Sequence, residues 1–165
     1  AALAPVHPAV VQMAAHARDG AILFTCMDWR HMGELLAAGD EVGLELKNLC
    51  VWNKDNGGMG SFYRSKHELV AVFKVGSLPH IDNVELGRHG RHRSNIWTYP
   101  GVNGFGANRS DRALHPTVKP LALVRDAVLD CTFYDAPCTG DDIRRPRVKI
   151  GLRLQQPTAK KLPGS

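Results

Sequence analysis

The chain has 165 residues, 44% apolar and 22% charged, the balance of one globular domain with a real core rather than of a disordered segment. Its formal net charge is +5, but residues 132–165 hold seven Lys or Arg against three Asp, so the basic balance belongs mostly to the tail. No apolar run approaches the ~20 residues that span a bilayer. The four cysteines (Cys26, Cys50, Cys131 and Cys138) form no CxxC pair, which argues against a disulfide framework or a zinc centre and for a reducing, cytoplasmic setting.

The opening AALAPVHPAVV lacks a basic flank and is not read as a signal peptide. Val10–Arg18 predicts a short helix, stopped at Asp19-Gly20. AILFTCM, from Ala21 to Met27, is a continuous apolar run of strand length, the pattern of a strand buried on both faces. Asp28 is an N-cap residue for a helix over 29–38, closed by Gly39. Leu44–Trp52 predicts a second strand, residues 53–61 a glycine-rich loop (NKDNGGMGS), and Glu68–Val75 a third strand. The helical crossover between the first two strands predicts that they run parallel in an α/β layer.

Residues 76–114 read differently, with two prolines, six glycines and a strand only around Asn95-Ile96-Trp97. Long irregular stretches in compact domains are usually functional or mobile. Within this one lies Arg88-His89-Gly90-Arg91-His92-Arg93, a basic patch that suits phosphates or is simply a solvated polar loop. His89 and His92 have no third ligand nearby, so no metal site is expected. A helix starting at Thr117 or Val118 and ending near Asp130 follows, with Thr117 as N-cap, Pro120 in the first turn and Leu121, Val124, Val128 and Leu129 as its apolar stripe. After Cys131 the texture becomes proline-rich and charged, and only Val148–Leu154 is strand-like. The expected organisation is a domain over 1–131 and a divergent, poorly ordered basic tail over 132–165.

Taken singly, the motifs are weak. GGMG lacks the Lys-Ser/Thr and following helix of a phosphate loop, and no Gly-x-Ser-x-Gly elbow is present. Their order says more: AILFTCMDW, then VWNKDNGGMGSFYRSKHELVAVFKVG, then NIWTYPG, then HPTVKP. This succession, over residues 10–131, resembles the DNA amino-methyltransferases, which move a methyl group from S-adenosylmethionine to the exocyclic amine of adenine (N6) or cytosine (N4). The resemblance is to the subgroup whose catalytic motif precedes the cofactor motif. The matching residues are Trp52 and Lys54; Tyr63, Arg64 and Glu68; Asn95, Trp97 and Pro100; and His115, Pro116, Thr117, Lys119 and Pro120.

The resemblance implies an α/β fold: a partial Rossmann-like methyltransferase sheet of about three strands, with flanking helices and a long irregular loop. It implies that His115, Pro116, Thr117 and Lys119 contact the methionine end of S-adenosylmethionine. A helix N-terminus, a hydroxyl and an ammonium do suit a carboxylate. Phe62 and Tyr63 either line the pocket of a base flipped from the stack or pack under the glycine-rich loop. Arg88, Arg91 and Arg93 fall in the family's variable DNA-contacting loop, with phosphate contact as their expected role. The implied partner is double-stranded DNA, with no membrane and no metal.

Two of the family's motifs are missing. No Asp/Asn-Pro-Pro-Tyr/Trp tetrapeptide, which holds the target amine, occurs in the chain, and APCTGDDIRR stands where an Asp-Pro-Phe-x-Gly-x-Gly cofactor loop is due. The expectation is therefore a methyltransferase fragment, truncated at both ends and inactive alone. Its AILFTCM strand would leave an exposed sheet edge open to self-association or a complementing chain. The alternative is a non-catalytic nucleic-acid-binding remnant that uses the 88–93 cluster and the basic tail.

Overall fold

The computed structural model describes residues 6–60, 62–84, 93–101, 119–132 and 148–151. The apolar run after Gly20 becomes strand β1 (Ile22–Met27), and all its residues are buried. Strands β2 (Glu45–Asn53), β3 (His67–Lys74), β4 (Ile96–Thr98) and β5 (Val148–Gly151) join it, together with helices α1 (Val6–Ala15), α2 (Met32–Glu41) and α3 (Leu121–Asp130).

Among the described residues the sheet has five strands in the order β4-β2-β3-β1-β5, more than the three expected. The crossover through α2 does leave β1 and β2 pointing the same way, but they are not neighbours. β3 returns from β2 by a hairpin and lies antiparallel between them, with Trp52 opposite Glu68 and Met27 opposite Leu69. β4 runs parallel to β2.

The expected bare edge of β1 is corrected by the tail. Val148–Gly151 pairs parallel with Ile22–Thr25, so β1 has a partner on both sides and the outer strands are β4 and β5. A β-branched piece of tail suffices, because the edge of β1 offers a row of backbone donors and acceptors that need partners.

Alternation along β1 divides the core. Leu23 and Met27 join Ala71 and Phe73 beneath α1 and α2, where Val10 and Leu35 pack. Ile22, Phe24 and Cys26 join Trp52, Val70 and Trp97 beneath α3, which contributes Leu123 and Ala127. Each large side chain buried this way is worth roughly 1.5–3 kcal/mol.

The helix ends depart from expectation for local reasons. α1 spans Val6–Ala15 and so includes residues before Val10; Pro8 lies within it. α2 starts at Met32, not Trp29. Asp28 spends its carboxylate on the preceding turn, where Oδ1 accepts the backbone N–H of Arg30 (3.0 Å) and of His31 (3.3 Å). Gly39 does not stop this helix; it lets Phe73 approach, and a Cβ there would lie 2.7 Å from the ring. The stop is Gly43, at φ +72°. α3 starts at Leu121 because Pro120 disfavours helical backbone at Lys119. The proposed cap, Thr117, lies outside the described residues. At its other end, Asn83 donates its backbone N–H to the Asp130 carbonyl (2.9 Å) and its Nδ2 to that of Leu129, satisfying terminal carbonyls of α3, and also to that of Thr132 just beyond the helix.

Candidate active site

β1, β2 and β4 share one direction, so their carboxyl ends meet at one rim, where β3 begins. In open α/β sheets ligands bind outside such carboxyl ends.

Glu68, the second residue of β3, is 5% exposed at this rim. Its Oε1 accepts from Lys119 Nζ at 2.8 Å and its Oε2 from Lys54 Nζ at 3.2 Å. Both ammonium groups also lie over the Trp52 ring, 4.4 Å (Lys54) and 5.7 Å (Lys119) from its centroid. Trp52 is buried, and its indole N–H donates to the Tyr99 carbonyl at 2.9 Å. Beside them, the Gly101 N–H reaches Asp55 Oδ1 at 2.8 Å, tying the end of β4 to the end of β2. Residues 52–54, 68, 99–101 and 119, far apart in the chain, thus form one cluster.

Burial pushes the Glu68 carboxyl up, but Lys119 and then Lys54 outweigh it and hold the group below its ordinary value. Among the described residues, two ammonium groups face one carboxylate, an excess of positive charge where little water screens it. Cys26 lies close by, but burial pushes its thiol up to about 11, so it is neutral and no nucleophile.

Of the residues expected to hold the cofactor, Lys119 is in this cluster, its side chain 7% exposed and paired rather than solvated. His115, Pro116 and Thr117 lie outside the described residues. Phe62 and Tyr63, in the β2–β3 loop, are 87% and 82% exposed, packed edge to face at 4.6 Å. They are not buried beneath the glycine-rich loop. Arg64, next to them, donates from Nη2 to the Gly57 carbonyl at 2.7 Å.

Arg93 faces inward. Its Nε is 2.8 Å from Asp130 Oδ2 and its Nη1 donates to the Tyr99 hydroxyl at 2.9 Å, while the guanidinium lies 5.2 Å from the Trp97 ring centroid. The Tyr99 hydroxyl in turn donates to Asp126 Oδ2 at 2.7 Å. Arg93 thereby ties β4 to α3. Arg88 and Arg91 lie outside the described residues, as do His89 and His92. Among the described residues no group of three His, Cys, Asp or Glu could hold a metal ion, and no helix is long and apolar enough to cross a membrane.

Sequence reasoning matched Trp52, Lys54 and Glu68 to motifs but gave them no place in the site. The available signal was a Glu opening the otherwise apolar strand ELVAVF. A carboxylate entering a core needs cationic partners, and the motif lysines were the candidates.

No family model matches the chain, and no curated protein does. Among solved structures, the crystal structure of the M1.HpyAVI–SAM complex matches with a TM-score of 0.56 and 16% identity, over 87% of this chain and 75% of that one. The fold is thus the α/β, methyltransferase-like one that the sequence resembles.

Proposed function

We propose that the chain is part of an S-adenosylmethionine-dependent DNA amino-methyltransferase, acting on adenine N6 or cytosine N4. The observation that carries this reading is the convergence on Glu68: Lys54 and Glu68 come from one motif of the resemblance, Lys119 from another 51 positions beyond Glu68, and all three meet within hydrogen-bonding distance. A chance resemblance has no reason to bring its matched residues together.

The donor set fits the cofactor's methionine end, which carries both a carboxylate and an amino group. Lys54 and Lys119 suit the first and Glu68 the second, with His115, Pro116 and Thr117 as the family's further contacts. Bound there, S-adenosylmethionine would supply an electrophilic methyl group. The target amine is its own nucleophile, so the protein's task is to position the two and to stabilise developing charge. The exposed rings of Phe62 and Tyr63 are the candidates to meet a flipped base, and Arg88 and Arg91 the candidates for phosphate contact. Arg93 is committed internally and is the weakest of the three for that role.

The 165 residues hold neither the family's catalytic tetrapeptide nor its cofactor loop, so the chain alone is expected to bind without turning over. A ligand that binds only the folded chain raises its unfolding temperature by mass action. S-adenosylmethionine should raise it and adenosine at equal concentration should not; no shift at millimolar cofactor contradicts the proposal. DNA binding that falls steeply with salt and is indifferent to the cofactor would favour the non-catalytic nucleic-acid-binding reading.

A further inference from the structure

Among the described aromatic rings, Phe24, Trp52, Phe73 and Trp97 are buried at 2–6% exposure and Tyr99 is half-buried, whereas Trp29 is 54%, Phe62 87% and Tyr63 82% exposed. All three exposed rings lie at the rim that carries the Glu68 cluster: Trp29 just after β1, and Phe62 and Tyr63 in the β2–β3 loop. The end of β1 stands beside the start of β3, with Met27 opposite Leu69. Cations are interleaved with the rings. The Arg30 guanidinium lies 5.0 Å from the Trp29 ring centroid, and Arg64 adjoins Tyr63.

Trp29 is presented by a braced turn. Asp28 accepts the backbone N–H groups of Arg30 and His31, and its carboxylate meets His31 Nδ1 at 3.0 Å. A rigid ring that is already half out of the core pays little ordering entropy when a partner covers it. A flat aromatic surface with an arginine over it matches a partner that has flat faces and negative charge. That is the chemistry of a nucleic-acid strand, whose bases stack on aromatic rings while Arg adds cation–π and phosphate contact.

We propose that Trp29 and Arg30 form a DNA-contacting platform on the rim, separate from Phe62 and Tyr63, in which Trp29 stacks on a base and Arg30 reaches the adjoining phosphate. The inference rests on DNA as the partner. The test follows Trp emission of the full chain during titration with a fluorescently end-labelled duplex whose anisotropy is read in parallel. Trp52 and Trp97 are buried, so a change caused by contact with DNA comes from Trp29.

Quenching should track the anisotropy. Trp29→Ala should abolish the quenching and weaken DNA binding roughly tenfold. Arg30→Ala should reduce the dependence of log affinity on log salt by about one unit. A retained blue-shifted emission maximum from the buried Trp52 and Trp97 certifies that the variants fold. Anisotropy-detected binding with no quenching, and with affinity unchanged in both variants, overturns the platform but leaves DNA as the partner. No anisotropy change at low salt overturns both. Quenching by anionic vesicles but not by DNA assigns the rim to a lipid surface and overturns the proposal.

Discussion

Two charge clusters flank α3 on the same face of the sheet, and they differ in charge balance. At the helix start, Lys54 and Lys119 share the carboxylate of Glu68 over Trp52. Along its second half, Asp126 and Asp130 both meet the guanidinium of Arg93 beside Trp97, and Asp126 also pairs with Arg125. Among the described residues the first has a surplus of cations at the carboxyl ends of the parallel strands. The second matches its acids with guanidinium groups and lies off the rim, beside a cleft of about 290 Å³. Similar side chains thus make a candidate anion site in one place and a strut in the other. The charge balance and the position along the strands tell them apart.

The two clusters should respond differently to disruption. The largest effect is expected at Glu68. Glu68→Ala leaves two ammonium groups confined without a counter-charge, and breaking such a buried arrangement costs about 3–5 kcal/mol, readable from urea unfolding. A loss under about 1 kcal/mol would mean that the lysines simply swing into water. The thiols report which end has loosened. Cys26 belongs to the first cluster, and Cys50 and Cys131 to the second, with thiols pushed up by burial to about 11, 11 and 12 respectively. None of the three should react with a thiol reagent in the native chain, and Glu68→Ala should expose Cys26 first.

Arg93→Ala should cost less, roughly 2 kcal/mol, because its side chain keeps 19% exposure and its partners can turn to water. Its DNA affinity should be unchanged, and a tenfold loss would restore Arg93 to the phosphate-contacting role. Tyr99→Phe removes one hydroxyl that accepts from Arg93 and donates to Asp126, and should cost about 1 kcal/mol by thermal unfolding. The smallest effect is on pH dependence. Glu68 is held below its ordinary value, about 4.3 in an unfolded chain. Its contribution to stability is therefore complete above that value and lost as pH falls through the lower folded one. Glu68→Gln should flatten the acid limb of the stability curve and leave the neutral region level.

Much of the fold was legible in the chain. AILFTCM, LELKNLCVW and ELVAVFKV each became a strand within one residue of the expected bounds, because their apolar content and β-branching leave few alternatives. The sheet order was not. The insertion of β3 between β1 and β2 follows from the hairpin register, Trp52 against Glu68, which hydropathy does not encode. The pairing of β5 with β1 joins residues more than a hundred positions apart, and nothing local announces it. The helix starts were misplaced where a capping residue was used otherwise: Asp28 makes its turn earlier, and Pro120 bars Lys119 from the helix.

The site divides in the same way. HPTVKP was found by its residues, but the partner of Lys119 was not. Its distance from Glu68 in the sequence is 51 positions, and only the packing of α3 on β3 brings them together. The inward turn of Arg93 to the acids of α3 was not legible, because it stands in a run of Arg and His. Exposure of Phe62 and Tyr63 was equally invisible, since apolar residues in a loop are as often packed as presented.

We propose that the Lys54–Glu68–Lys119 cluster holds S-adenosylmethionine while the Arg93 cluster only holds the fold. Calorimetric titration of the cofactor into the wild-type chain, Lys119→Met and Arg93→Ala separates the two roles. Micromolar binding by the wild type is expected, with a loss of at least about tenfold in Lys119→Met, equivalent to some 1.4 kcal/mol, and unchanged affinity in Arg93→Ala. No binding by a wild-type chain shown to be folded, or an equal loss in both variants, would contradict it.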